Sequence, residues 1–292
     1  MASAAAPPRH TAAFEAIGTR WRIDADVPLD DALPAVRALI DRYDRTWSRF
    51  RGDSLVATIA RAPGRYALPA EAGSLLGFYR ALHDATGGAV SPLVGRAMEH
   101  HGYDAHYSLH PADGPVATVP AWDDVLAPDD GALLVREPVL LDVGAAGKGQ
   151  LVDLVSALLT EHGLTDHVVD AGGDLRATGP EALRVGLEHP ADPTQAIGVV
   201  ELQGAAIAAS AVNRRAWADR HHVLDARTAA PTREVVATWA IAPTAMEADG
   251  LATALFFAST GELSRRFAFQ GVRVFADGRA ERTPDLPGEL FS

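Results

Sequence analysis

Between Leu141 and Asp153 the chain passes from an apolar stretch through Gly144-Ala145-Ala146-Gly147-Lys148-Gly149 and directly into an amphipathic segment. Val139 to Val143 reads as a short strand, separated from another at Ala132 to Val135 by Glu137-Pro138. Leu151, Leu154, Val155, Leu158 and Leu159 fall on one helical stripe, and His162-Gly163 offers a left-handed stop. Strand, glycine loop and helix in that order leave free backbone N–H groups at the positive end of a helix, a natural cradle for phosphate. The same glycines serve equally well as a tight strand-to-helix turn. Lys148 opposes the helix dipole at this position, and a docked anion would remove the conflict. The loop is not a Walker A motif, because Asp142 stands six residues before Lys148 and Gly149 replaces the Ser or Thr that would face a metal. Gly144, Gly147 and Gly149 also lack the spacing of a dinucleotide-binding fingerprint.

The remaining pattern mixes helices and strands. Apolar residues at 33, 36, 40, 43 and 47 predict a helix, as do Leu75, Leu76, Tyr79 and Leu82. His167 to Asp170 reads as a buried strand entering Gly172-Gly173-Asp174, and segments 183–189, 196–203, 205–210, 221–226 and 235–243 read as further strands. A last helix is predicted from about Glu247 to Ser259. The class is α+β. Residues 1–13 are expected to be a disordered segment ahead of one domain spanning 14–292, with 111–130 as the one candidate internal boundary.

Composition narrows the chemistry. A net charge of −12 argues against a general grip on nucleic acid or anionic lipid. With no cysteine in 292 residues, thiolate metal sites are excluded and any metal must take oxygen or imidazole ligands, as Mg²⁺ does. The N-terminus has no signal-peptide pattern, no apolar run reaches the roughly 18 residues of a membrane span, and a cytoplasmic protein is expected. Asp249 and Thr253 lie one above the other on the last helix beside an apolar stripe, half of an oxygen-donor site for Mg²⁺ or, equally, a dipole-stabilised Asp and a back-bonded Thr. Ala171-Gly172-Gly173-Asp174 reads as a close-approach turn or a simple hairpin. The paired histidines make poor chelates, but His222 opens a polar turn, His222-Val223-Leu224-Asp225-Ala226-Arg227-Thr228.

In order, these pieces resemble the FAD:protein FMN transferases, the ApbE family. The series runs Gly18-Thr19-x-Trp21; Trp47-Ser48-Arg49-Phe50 ahead of Asp53-Ser54; Thr86-Gly87-Gly88-Ala89-Val90-Ser91-Pro92; the Leu141 to Asp153 segment; Asp170 to Asp174; His222 to Thr228; and Ala248-Asp249-Gly250-Leu251-Ala252-Thr253-Ala254-Leu255. It covers about residues 14–275. The resemblance implies a central mixed sheet flanked by helices, and a Mg²⁺-dependent enzyme that cleaves FAD, releases AMP and attaches FMN by a phosphoester to Thr or Ser of an acceptor redox protein carrying a flavinylation motif. It implies Asp249, Thr253 and the carbonyl of Ala145 as metal ligands. The flavin contacts would be Ile17, Phe50, Ala89, Val90, Ser91, Asp142, Lys148 and Leu224, and His222 would help deprotonate the acceptor hydroxyl. An FAD pyrophosphatase yielding FMN and AMP, and a non-catalytic FAD-binding protein, are the alternative expectations.

The chain departs from the family pattern at named positions. Ile17 replaces the usual Met, Phe50 the usual Tyr, Ser91 the common Asp and Gln150 the common Tyr, all expected around flavin. Ala209-Ser210-Ala211 replaces Thr-Ser-Gly, and Ala226 and Ala229 replace the Pro and final Gly of Asp-Pro-Arg-Thr-Gly.

Overall fold

The computed structural model describes residues 9–129, 131–217 and 220–291. Its frame is an eight-stranded sheet whose strands neighbour one another in chain order. They are β1 (His10–Ala16), β2 (Thr19–Ala25), β3 (His167–Ala171), β4 (Asp174–Ala177), β5 (Ala206–Ala211), β6 (Val235–Ala242), β7 (Gln270–Phe275) and β8 (Ala280–Arg282). The α+β class holds, but the sheet is not mixed: all seven pairings are antiparallel. Each helical excursion returns the chain to the end of the sheet it left, so no parallel crossover forms.

Period-two alternation divides the interior in two. From β5 and β6, Ala206, Ala208, Ala240 and Ala242 face one core. Ile207, Trp239 and Ile241 face the other. The first core is roofed by helices α1 (Leu33–Trp47), α2 (Ala72–Ala85), α3 (Gly147–Glu161) and α4 (Ala245–Ala254), which contribute Val36, Leu75, Leu151 and Leu251 among others. The second lies under a three-stranded sheet, Leu183–His189 with Asp192–Leu202 and Gly288–Leu290. Burial on both faces explains why Val235 to Ala242 is apolar almost throughout rather than alternating.

Several expectations are corrected. Val139 to Val143 forms no strand and joins no sheet; its Asp142 amide donates to the Pro92 carbonyl at 2.7 Å, so a loop takes the bond that a strand would. Segment 221–226 shrinks to two-residue bridges at Arg220–His221 and Leu224–Asp225. The last helix starts at Ala245 and stops at Ala254, because Thr244 caps its beginning and Ser259 caps a separate helix, Thr260–Leu263. Residues 10–13 are the start of β1, while 1–8 lie outside the described residues. The candidate boundary at 111–130 divides no core among the described residues, since Trp122, Val125 and Leu126 belong to the first one. No described helix is long and apolar enough to cross a membrane.

Candidate active site

The glycine loop becomes the first turn of α3, which starts at Gly147 and carries Lys148 and Gly149 within it. Lys148 reaches across to β4 and pairs with Asp174. Asp174 is 1% exposed, and it neighbours Asp249 on α4, itself 4% exposed. The Gly149 amide donates to Asp249 Oδ2 at 3.0 Å. Burial first, and then the Asp174 charge, hold the Asp249 carboxyl well above the usual carboxylate range. Ionised together, the two buried carboxyls would share a single ammonium; Asp249 relieves that excess by keeping its proton, and a bound cation would take the proton's place.

Helix α4 is fixed around this centre from both ends. Asp153 on α3 accepts from the amides of Ala245 and Met246, both at 2.9 Å, capping the α4 start. Arg176 on β4 holds Asp153 at 3.0 Å. Near the other end, the Thr238 hydroxyl on β6 donates to the Ala252 carbonyl at 2.7 Å. Thr253 follows Asp249 by one turn and is half-buried. The Ala145 amide donates to the Tyr79 hydroxyl at 3.0 Å. Tyr79 is fully buried and its hydroxyl is pushed well up, by desolvation and then by the charges of Asp142 and Asp249. It therefore lies between the loop and the acidic centre.

A second cluster, aromatic, abuts the loop. Asp142 spends one oxygen on the Gly144 amide at 2.7 Å and the other on Arg49 Nε at 2.6 Å. Arg49 is buried, donates to the Tyr103 carbonyl at 2.6 Å, and lies 4.2 Å from the centre of the Phe50 ring and 4.8 Å from that of Tyr103. Phe50 packs on the small core that contains Leu224, Tyr103 and Trp217. The Ala226 amide donates to the Ala89 carbonyl at 3.0 Å, which ties the turn after Leu224 to the Ala89-Val90-Ser91 loop. Ser91 caps the short turn Pro92–Val94, and Pro92 in turn receives the Asp142 amide.

The structure thus brings Lys148, Asp249 and the Ala145 loop into one centre, with Asp142, Phe50, Leu224 and the Ala89-Val90-Ser91 loop beside it. His222 is half-buried between the two bridges of its segment. Ile17 lines a depression of about 250 Å³ with Phe14, Ala16, Arg37 and Ile40. A groove of about 600 Å³ around Phe267 and Phe269 shares no residue with these clusters. Gln150 does not face the aromatic cluster: it accepts from the Tyr43 hydroxyl at 2.9 Å and donates to the Glu71 carbonyl at 2.8 Å, bracing α1 and α2 against α3. Arg49, Asp174 and Tyr79 received no role from the sequence. An Arg set between the aromatics Trp47 and Phe50, and an Asp directly after paired glycines, were the available signals.

Among the described residues no group of three or more His, Cys, Asp or Glu could hold a metal unaided. One carboxylate, one hydroxyl and a loop carbonyl suit an ion that keeps several waters and takes few protein ligands, and a buried carboxyl that can exchange its proton for a cation fits the same ion.

Fold and centre together define an α+β protein with an acid–ammonium cluster at a glycine-rich helix start. Residues 17–275 match the ApbE family, and the chain belongs to it. It is 28% identical over 279 residues to an FAD:protein FMN transferase of Rhodobacter capsulatus, covering 89% of this chain and 53% of that protein. To an FAD:protein FMN transferase of Klebsiella pneumoniae it is 25% identical over 284 residues, covering 89% and 81%. The chain thus spans about half of the first relative and four-fifths of the second. The crystal structure of the ApbE protein from Thermotoga maritima superposes with a TM-score of 0.82 at 24% identity over 95% of this chain and 97% of that one, a likeness of fold.

Proposed function

We propose that this chain is a Mg²⁺-dependent FAD:protein FMN transferase that releases AMP and leaves FMN joined by a phosphoester to a Thr or Ser of an acceptor redox protein. The reading is carried by the buried centre of Asp174, Lys148 and Asp249 at the glycine-rich start of α3. Asp249, Thr253 and the Ala145 carbonyl would hold Mg²⁺, which when bound supplies charge neutralisation on the diphosphate oxygens. Lys148 and the amides at the start of α3 add fixed positive potential where the bridging oxygen takes up charge. His222 accepts the proton of the acceptor hydroxyl, whose oxygen forms the new bond to the FMN phosphorus as the P–O–P link to AMP breaks. Phe50, Leu224, Ile17 and the Ala89-Val90-Ser91 loop bind the flavin, with Asp142 and Lys148 at its phosphate side. The names of the relatives, the family match and the clustering of Lys148, Asp249 and the Ala145 loop beside Asp142, Phe50, Leu224 and the Ala89-Val90-Ser91 loop support this reading.

The test is to incubate the pure protein with FAD and Mg²⁺, with and without an acceptor domain bearing a flavinylation motif. The expected products are AMP and covalently fluorescent acceptor. AMP with free FMN, independent of acceptor, would make the chain a hydrolase. Bound FAD without AMP would make it a carrier.

A further inference from the structure

The Phe50 ring, which the proposed function gives to the flavin, is already stacked. Tyr107 lies parallel to it, with ring centres 5.1 Å apart and planes 6° apart. Tyr103 meets both rings edge-on. Unlike buried Tyr103 and Trp217, Tyr107 is 49% exposed. It also reaches the other flavin-side motif, since a Cβ built on Gly18 in the β1–β2 turn would lie 3.6 Å from its hydroxyl.

The loop is made to hold Tyr107 there. Asp104 Oδ1 accepts from the amides of His106 and Ser108 at 2.8 and 3.1 Å, and the Gly102 carbonyl accepts from the Leu109 amide at 2.8 Å. Tyr107 and Leu109 adopt φ of +51° and +54°, a conformation that costs a side-chain-bearing residue energy. An exposed aromatic held at that cost on another ring marks a stacking position more than a packing one. Two rings 5.1 Å apart need to separate to about 7 Å to admit a third at van der Waals contact on both faces. Movement of one exposed side chain on a surface loop supplies that.

We propose that Tyr107 is the second wall of the isoalloxazine site: it rests on Phe50 in the free protein and covers the outer face of the flavin ring when FAD enters between them. This role rests on the FAD-binding reading and adds to it a residue outside every family motif of the sequence. Tyr107 sets affinity for the tricyclic ring and takes no part in the phosphoryl transfer.

The test uses the full chain with Tyr107→Ala and Tyr107→Phe, FAD as ligand, and both binding and turnover as readouts. Tyr107→Ala is expected to weaken FAD binding about tenfold, raise KM for FAD with kcat within about twofold, and reduce the quenching of bound-flavin fluorescence. Tyr107→Phe keeps the ring and should stay within about twofold of the parent on all three. Unchanged or tighter binding by Tyr107→Ala would show the ring to be a bystander or a plug and overturn the role, as would Tyr107→Phe behaving like Tyr107→Ala. A parent protein that binds and transfers flavin while Tyr107→Ala is unaffected removes this role alone. A parent that binds no FAD removes the proposed function as well.

Discussion

Gly149 and Asp249 define how closely α3 and α4 approach. The glycine amide donates to the carboxylate at 3.0 Å, and a Cβ on Gly149 would stand 2.1 Å from the Ala245 carbonyl and 2.8 Å from the Asp249 Cβ. The residue type at 149 is thus set by the neighbouring helix rather than by a turn. A hydroxyl-bearing side chain of the Walker type could not occupy it without pushing α4 away.

Gly149→Ala should destabilise the fold even though alanine is the better helix former. The propensity gain is about 1 kcal/mol, whereas overpacking against a backbone carbonyl costs about 3 kcal/mol or more. A net loss of about 2 kcal/mol should appear as a lower melting temperature and urea midpoint, together with weaker Mg²⁺ binding as Asp249 is displaced. An equally stable variant would mean that the helices separate freely.

Asp249→Asn separates charge from shape. A carboxyl whose folded pKa is raised binds its proton more tightly folded than unfolded, so its contribution to stability falls as pH rises above the unfolded value near 4. Asparagine removes that penalty together with the repulsion from Asp174. In Mg²⁺-free buffer at pH 8 the variant should be more stable by roughly 1–3 kcal/mol. Adding Mg²⁺ should raise the melting temperature of the parent and leave the variant unmoved, and flavin transfer should drop by at least about a hundredfold. A Mg²⁺-induced shift of the same size in both proteins would remove Asp249 from the metal site.

The motifs were enough to single out Lys148, Asp249 and the Ala145 loop, which the fold brings together, because residues far apart in sequence carry short-range signatures: a glycine-rich helix start, an Asp and Thr one turn apart. The large helices were legible for the same reason, their apolar stripes being local. Antiparallel closure of the sheet was not, since β2 and β3 pair across more than 140 residues and nothing local records strand direction. The unpaired path of Val139 to Val143 escaped because a buried loop and a buried strand have the same apolar composition. The roles of Arg49, Tyr79 and Gln150 depend on partners far away in the chain, which only the folded structure brings near. The β1–β2 hairpin escaped because its turn residue Ile17 is a poor turn former.

That turn yields a third prediction. Ile17 and Gly18 are the two residues between paired Ala16 and Thr19, with φ of +45° and +72°. Positive φ at both central positions is the hallmark of a type I′ hairpin, which tolerates a β-branched residue badly. Ile17→Met keeps the apolar volume beside Phe14 and Ile40 while removing the branch. The variant should be more stable by about 0.5–1 kcal/mol in chemical denaturation, with FAD binding no weaker. A loss of stability would show that the branched side chain contributes more through packing than it costs in the turn.

His167 gives the fold an acid sensitivity of its own. It is fully buried on β3, with Nδ1–H donating to the Leu164 carbonyl at 2.8 Å and Nε2 accepting from the Ser156 hydroxyl at 2.7 Å. Desolvation, opposed by the Leu164 carbonyl, holds its pKa below the ordinary 6.5, so the imidazole is neutral when folded. The unfolded chain binds the proton first, and the stability from this residue, complete above pH 6.5, declines as pH falls toward the lower folded value. His167→Asn keeps a donor for Leu164 but cannot titrate; it should cost on the order of 1–2 kcal/mol at pH 8 through the lost Ser156 contact. Between pH 8 and pH 5.5 its melting temperature should then fall less than that of the parent. Parallel falls in the two proteins would place the acid sensitivity elsewhere, with half-buried His221 the next group to replace: its pKa too is lowered by burial, and its Nε2–H donates to the Thr232 carbonyl at 2.7 Å.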